Sequence, residues 1–388
     1  MDRLPTELLG AVLAHLPVRD VKATRLTCKV LAAVAFPLLC THLSALNLLY
    51  RLEDLEAFLT SVGPLASTKQ LTLYHGTWPV CTRAEWEVHP LQQYDTHPQA
   101  FLRDRTGAQQ LAADVAYERY DEFMQSEASR DRRRDIARLR RILRLLPNLQ
   151  TITVSQLQAR PREREECIQY ARLRKQIWMF PLVRDTIDGL LDALSDLLLE
   201  CPRVQALELR GRVSLRPRRD YPSIRMVTQL VLQPANLSGS DAGALLAVLE
   251  MFPNLRELSV GSGKTSRPGP PLALSGGVWH RLRTIALDGL CVREDALVGT
   301  MRNSQALARM ALLNITLAQG TWRSFCSEAR KLRGRIELQV AGTIDGLDPA
   351  CCRVDLRGHR ALLLDRFLTG ALSFWPFDSA AGRITCAM

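Results

Sequence analysis

Three groups of residues invite a chemical reading, and each lacks a part that the chemistry requires. Val260-Gly261-Ser262-Gly263-Lys264-Thr265 places a Gly-Lys-Thr step after an apolar, strand-like run. A phosphate-cradling loop needs a glycine five residues before the Gly-Lys pair and a helix after it, whose free amides converge on the anion. Position 258 is Leu, and Ser266-Arg267-Pro268-Gly269-Pro270-Pro271 follows, which starts no helix. The segment is expected to be a loop between repeats. The seven histidines (His15, His42, His75, His89, His97, His280, His359) include no His-x-x-x-His pair and no His–Cys spacing suited to zinc. The ten cysteines include no Cys-x-x-Cys pair, and the adjacent Cys351 and Cys352 lack any activating motif. No Gly-x-Ser-x-Gly elbow occurs. The expectation is a protein that binds and does not catalyse, with no cofactor and no metal.

Composition sets the frame for what such a protein binds. The chain of 388 residues is 47% apolar and 23% charged, enough for roughly two to three domains with real cores. The longest nearly uncharged apolar run, Val30 to Cys40, is interrupted by Pro37 and falls short of the ~20 residues that span a bilayer. The start, Met1-Asp2-Arg3-Leu4-Pro5, carries an acid at once and no leader-like apolar stretch, so the expected location is cytoplasm or nucleus with reduced cysteines. The net charge of +11 points to an acidic partner. Only six of the 51 basic residues are lysine, a bias that reads as base composition of the genome more than as function.

The elements that would position a binding surface come from a repeat. Leu-x-x-Leu-x-Leu, with any aliphatic residue or Met at the Leu positions, occurs at Leu149–Val154, Val204–Leu209, Val227–Leu232, Leu255–Val260, Leu282–Leu287 and Leu307–Leu312. From Val204 the steps are 23, 28, 27 and 25 residues, inside the ~20–29 residue period of leucine-rich repeats. A degenerate early copy falls at Leu71-Thr72-Leu73 and a late one at Ile336–Val340. Between the strands, 188–200, 241–252 and 321–332 carry apolar residues at helical spacing. One strand and one helix per repeat predict stacked units forming a curved solenoid. Alternation would turn Thr153, Ser155, Glu208, Arg210, Val231, Gln233, Glu257, Ser259, Ala286 and Asp288 onto an open sheet face. Glu208, Arg210, Val231, Gln233, Glu257, Ser259 and Asp288 are the candidate substrate-binding residues.

Two stretches break the period. Residues 75–148 are predicted to contain a long helix from Asp121 to Leu146, with Ile136, Leu139, Leu143 and Leu146 on one stripe. Its other face holds Arg130, Arg132, Arg133, Arg134, Arg138, Arg140, Arg141 and Arg144. Residues 156–185 form a second helical insertion. The arginines admit nucleic-acid binding, yet interleaved Asp131, Asp135, Glu118, Asp121 and Glu122 favour a solvated, internally paired face. The alternative class for the whole protein is a leucine-rich-repeat scaffold or arginine-rich nucleic-acid binder.

Residues 1–46 differ in character. Leu8, Leu9, Val12, Leu13 and Leu16 cover well over half of a first helix, which Thr6 is placed to cap and Pro17 to end. A second helix carries Val21 and Leu26, and a third carries Cys28, Val30, Leu31 and Val34 before Phe36-Pro37 stops it. Three short helices cannot bury that much apolar surface among themselves, so one face is expected to dock on a partner. Leu4-Pro5-x-Glu7-Leu8-Leu9-x-x-Val12-Leu13-x-x-Leu16, Asp20-Val21, Arg25-Leu26-Thr27-Cys28-Lys29 and Phe36-Pro37-Leu38-Leu39 resemble an F-box. Val30-Leu31 stand where many F-boxes have an aromatic residue.

The resemblance implies a substrate receptor of an SCF ubiquitin ligase of the fungal F-box type with irregular leucine-rich repeats. It implies that a Skp-type adaptor contacts Leu4, Pro5, Leu8, Leu9, Leu26, Cys28 and Val30, that a cullin ligase follows, and that the distal region holds an unidentified protein substrate. The expected fold is therefore α/β: an adaptor-binding three-helix F-box over 1–46, then an irregular leucine-rich-repeat solenoid over 47–388 with helical insertions near 75–148 and 156–185. No membrane partner is expected.

Overall fold

A computed structural model describes residues 4–88, 106–157, 168–182, 196–211, 223–233, 249–261, 280–332, 334–348, 351–356 and 359–377. The chain divides into two compact units, Met1–Asp185 and Thr186–Met388. The three amino-terminal helices belong to the first unit and form no unit of their own.

In the first unit, α1 (Thr6–Ala14), α2 (Val18–Thr24) and α3 (Lys29–Leu39) pack α1 and α2 against α3. Prolines set the starts: Pro5 and Pro17 occupy the cap positions of α1 and α2. The cap expected from Thr6 is absent, because Thr6 is already the first helical residue. Cys28 caps α3 by accepting from the Leu31 amide at 3.4 Å. Helix α3 does not stop at Phe36-Pro37 but continues to Leu39 with Pro37 inside it. The amide that Pro37 lacks would have bonded the carbonyl of Ala33, which lies on the exposed side.

Strand β1 (His42–Leu46) follows α3 almost at once. It heads a parallel sheet with β2 (Gln70–His75) and β3 (Thr151–Gln156). The register aligns Leu43, Leu71 and Ile152, and then Ala45, Leu73 and Val154. All of these but Leu43 are buried. Helix α4 (Leu49–Val62) joins β1 to β2. The long helix expected over 121–146 is two helices, α6 (Gly107–Ala128) and α7 (Arg132–Arg144), after the short α5 (Arg83–Val88). The break falls where Asp131 turns its carboxylate back onto the Arg133 amide and starts a new helix.

Helix α7 packs on α4, with Leu139, Ile142, Leu143 and Leu146 buried. Two of its arginines reach that neighbour, while Arg133 and Arg134 are exposed. Arg138 pairs with Glu53, Glu56 and Asp135, and Arg141 with Glu56. Arg130 pairs with Asp135 and Glu127 and donates to the Asn47 carbonyl and side chain. Asp131 and Asp135 supply part of the expected internal pairing, and Glu127 with Glu53 and Glu56 of α4 supply the rest.

The two insertions meet each other. Helix α8 (Ile168–Ile177) packs on α6, and Trp78, Trp86, Tyr120, Phe123, Tyr170 and Ile177 form one core with Leu46, Leu48 and Leu157 just beyond the ends of β1 and β3. Trp86 donates its indole N–H to the Ile177 carbonyl at 3.1 Å. The insertions thus cap the carboxyl ends of these strands.

The second unit carries β4 (Ala206–Arg210), β5 (Gln229–Gln233), β6 (Glu257–Gly261), β7 (Thr284–Asp288), β9 (Arg309–Leu313) and β11 (Glu337–Asp348) as a parallel sheet in that order. Leu207, Leu230, Leu258, Ile285 and Met310 align in register and are buried, as the repeat predicts. Short β8 (Cys291–Arg293) and β10 (Thr316–Gln319) make a second parallel layer that joins β11, which also pairs antiparallel with β12 (Cys351–Leu356). Helices α9 (Glu294–Asn303), α10 (Trp322–Lys331) and α11 (His359–Leu368) complete the described elements. The helix expected over 321–332 is α10, capped by Thr321 and burying Trp322, Phe325 and Ala329. Only the last residues of the helices expected over 188–200 and 241–252 are described, and the 262–265 loop lies outside the described residues.

One backbone arrangement recurs at the strand entrances. The carbonyl of Thr41 accepts the amides of Lys69 and Gln70, and that of Lys69 accepts those of Gln150 and Thr151. In the second unit Gln205, Thr228, Arg256 and Arg283 do the same for the next strand. Asn148 and Asn254, each in a Pro-Asn-Leu step, donate to the carbonyls of Ala66 and Arg225, just before the neighbouring strand, both at 2.8 Å.

The α4–α7 clamp has a pH signature. The Glu56 carboxyl sits below the ordinary 4.5 because Arg141, and then Arg138, hydrogen-bond its charged form. A lowered folded value adds stability that is complete above the unfolded value and fades as pH falls through the folded one. Glu56→Gln should therefore flatten the decline of thermal midpoint below about pH 4.5, read by circular dichroism melts against wild type.

Candidate functional site

The packing of α1–α3 divides its apolar residues into two sets. Leu9, Leu13, Val21, Leu31 and Ala35 form the internal core. Leu4, Leu8, Val12, Leu16, Val18, Leu26 and Val30 remain exposed, Leu8 at 53% and Leu26 at 80%. Leu4, Leu8 and Val12 recur every four residues, which places the helical pair on one side of α1. Burying a side chain of this kind on a partner is worth about 1.5–3 kcal/mol.

Of the residues expected to meet a partner, Leu4, Pro5, Leu8, Leu26, Cys28 and Val30 are exposed. Leu9 is the exception. It is 7% exposed and faces the unit's own core, because residues one apart on a helix point about a quarter-turn or more away from each other. Cys28 is exposed but its sulfur is engaged as the α3 cap.

Residues 1–35 match the family model of the F-box domain. The match supports an F-box protein. It covers α1, α2 and the first half of α3, the segment whose apolar side chains are split between core and surface. No curated protein matches the chain.

The second candidate surface is the open face of the second unit's sheet. Glu208, Val231, Ser259 and Ala286 align in register with Ala311 and Gln339. Beside them run Gln229, Glu257, Thr284, Arg309 and Glu337, where Arg309 and Glu337 pair at 3.0 Å. The row is small and uncharged through Val231, Ser259, Ala286 and Ala311, and both ends of it are polar. Two of the expected contact carboxylates already have partners: Glu208 accepts from Arg210 at 2.8 Å, and Asp288 from the Asn314 amide at 2.7 Å. In the first unit Thr153 is only 2% exposed, covered by the Gln70 amide at 3.3 Å, so it offers no outward side chain there.

Thiols and metals add little chemistry. Burial holds Cys40 and Cys81 above the ordinary thiol range, and Cys201 is pushed up to about 11. Cys326, in the core of α10, is raised further for the same reason. A raised thiol carries less thiolate and is a poorer nucleophile. Among the described residues no three His, Cys, Asp or Glu side chains cluster as metal ligands. Strand β12 holds Cys351 and Cys352, whose side chains lie outside what is described.

The split between core and surface yields a direct test. Leu8→Asp should leave the melting temperature of the free protein within about 2 °C. Leu9→Ala should cost about 2–3 kcal/mol of stability, measured by chemical denaturation.

Proposed function

We propose that this chain is a non-catalytic substrate-recognition subunit of an SCF-type ubiquitin ligase. The F-box segment binds a Skp-type adaptor and so reaches the cullin scaffold, and the sheet of leucine-rich-repeat type holds a protein target. The observation that carries the reading is the exposure of Leu4, Leu8, Val12, Leu26 and Val30 on the segment that matches the F-box model. An apolar set of this size on three short helices is stabilised when a partner covers it. Such a protein works by holding its target near the transferred ubiquitin, which raises effective concentration and needs no reactive side chain of its own. The expected site of action is cytoplasm or nucleus.

The regular strand register and the recurrent entrance carbonyls support the repeat reading. The small-residue row along Val231, Ser259 and Ala286 suits close approach of a partner segment. The nucleic-acid alternative loses support because Arg130, Arg138 and Arg141 are engaged with acidic groups of the same unit.

Two measurements test the two ends. Leu4→Asp and Leu8→Asp should each abolish co-purification of a recombinant Skp-type adaptor, and capture at wild-type strength rejects the assignment. Point variants are preferable to removing 1–45, because β1 begins at His42 and pairs with β2. Ser259→Arg with Ala286→Arg should leave adaptor capture intact and remove a subset of proteins from affinity purification with mass spectrometry. An unchanged protein set would count against the sheet as the target-binding face.

A further inference from the structure

Helical spacing divides α4 into two flanks around a buried line. Leu52 and Leu59 make the line and are fully buried. Glu53 and Glu56 lie on one flank and are taken by Arg138 and Arg141 of α7. Leu55, Phe58 and Val62, spaced three and four residues apart, lie on the other. Leu55 is half-buried, but Phe58 is 38% and Val62 43% exposed. Arg51 and Asp54, paired at 3.1 Å, give this flank a polar end near the start of the helix. The Ser61 hydroxyl turns back to the Phe58 carbonyl at 2.8 Å. No α7 charge pair reaches this flank among the described residues, so its apolar groups stay open.

The open flank adjoins the amino-terminal helices. The Phe58 ring meets Phe36 of α3 with ring centres 6.5 Å apart. Ala33, three residues before Phe36, is its neighbour on the helix surface. Val30, Ala33 and Pro37 are all exposed and repeat at helical spacing along α3. An apolar surface thus runs along α3 and crosses Phe36 onto α4. Its two ends belong to one body. Strand β1 joins the helices, and only Asn47 and Leu48 lie between β1 and α4, both buried.

We infer that the Skp-type adaptor extends beyond the F-box segment and covers Phe58 and Val62, holding α3 and α4 together. The inference rests on the receptor reading, and the occupant follows from continuity. The F-box match ends at residue 35, within α3, whereas the exposed apolar row on that helix goes on to Pro37 and passes through Phe36 to α4. A partner seated on Val30 that stopped there would leave the rest of the same surface in water. Covering it gains the burial of an aromatic ring and a valine at no cost in flexibility, because the two helices are already fixed relative to each other.

The test uses the full chain and a recombinant Skp-type adaptor. Val62→Arg and Phe58→Gln should each weaken adaptor affinity about tenfold, mainly through faster dissociation. Val62→Arg keeps the helix intact, since a cation in the last turn suits the helix dipole, and its free-chain melting temperature should match wild type. Hydroxyl-radical footprinting of the wild-type complex should show Phe58 protected, a readout that needs no variant. Val80→Arg, at an 87% exposed position of the same unit, should change nothing. Wild-type affinity of Val62→Arg, equal reactivity of Phe58 free and bound, or equal loss with Val80→Arg overturns the extension. A dimer of the free chain that Val62→Arg dissolves assigns the flank to a second copy and overturns it too. Leu8→Asp separates the two levels: if it still abolishes capture the receptor reading stands without the extension, and if it does not, that reading itself has failed.

Discussion

A shared carbonyl at six strand entrances is the interaction on which the parallel strands of both units depend. One oxygen accepts two consecutive amides of the following strand, from Thr41 and Lys69 in the first unit and from Gln205, Thr228, Arg256 and Arg283 in the second. Losing either of the two bonds would cost about 0.5–1.5 kcal/mol. The clip therefore penalises any slip, and a slip of a single residue would turn every buried leucine outward. The alignment of Leu207, Leu230, Leu258 and Ile285 follows from it.

Helices and insertions are fastened by means suited to where they sit. Helix α7 lies on α4 at the edge of solvent, and arginine–carboxylate pairs supplement its buried leucines. The insertions around α6 and α8 lie over strand ends, where an apolar cover is needed, and aromatic rings supply it. Arg130 ties the two regions by reaching Asn47 at the exit of β1.

Much of the strand plan was legible in the residues because parallel strands in register bury the same positions each time. Leu71-Thr72-Leu73 and Ile336–Val340, weak matches by pattern alone, are β2 and β11. Strands β1, β8, β10 and β12 fall outside the pattern, since their pairing is set by neighbours and not by a periodic apolar set. The division of 121–146 into two helices was hidden because arginine and alanine favour helix throughout, and only Asp131 marks the restart. Leu9 was misplaced for a related reason: in a helix apolar on most sides, composition cannot tell core from surface. Two Pro-Asn-Leu steps, at Asn148 and Asn254, were a readable sign of the side-chain bonds between neighbouring strand entrances. The apolar surface across Phe36 and Phe58 combines residues of α3 and α4, a pairing that only the tertiary fold makes visible.

The junction between α3 and β1 has a mechanical consequence. Two residues separate them, and the buried Thr68 hydroxyl fastens the Cys40 carbonyl at 2.7 Å. The helical triplet is thus welded to the first strand and does not swing on a tether. Within this unit, the span from the greasy helix face to the sheet is a dimension of the solid body, like the length of a bracket, and lengthening or stiffening a linker is not a route by which it could be tuned.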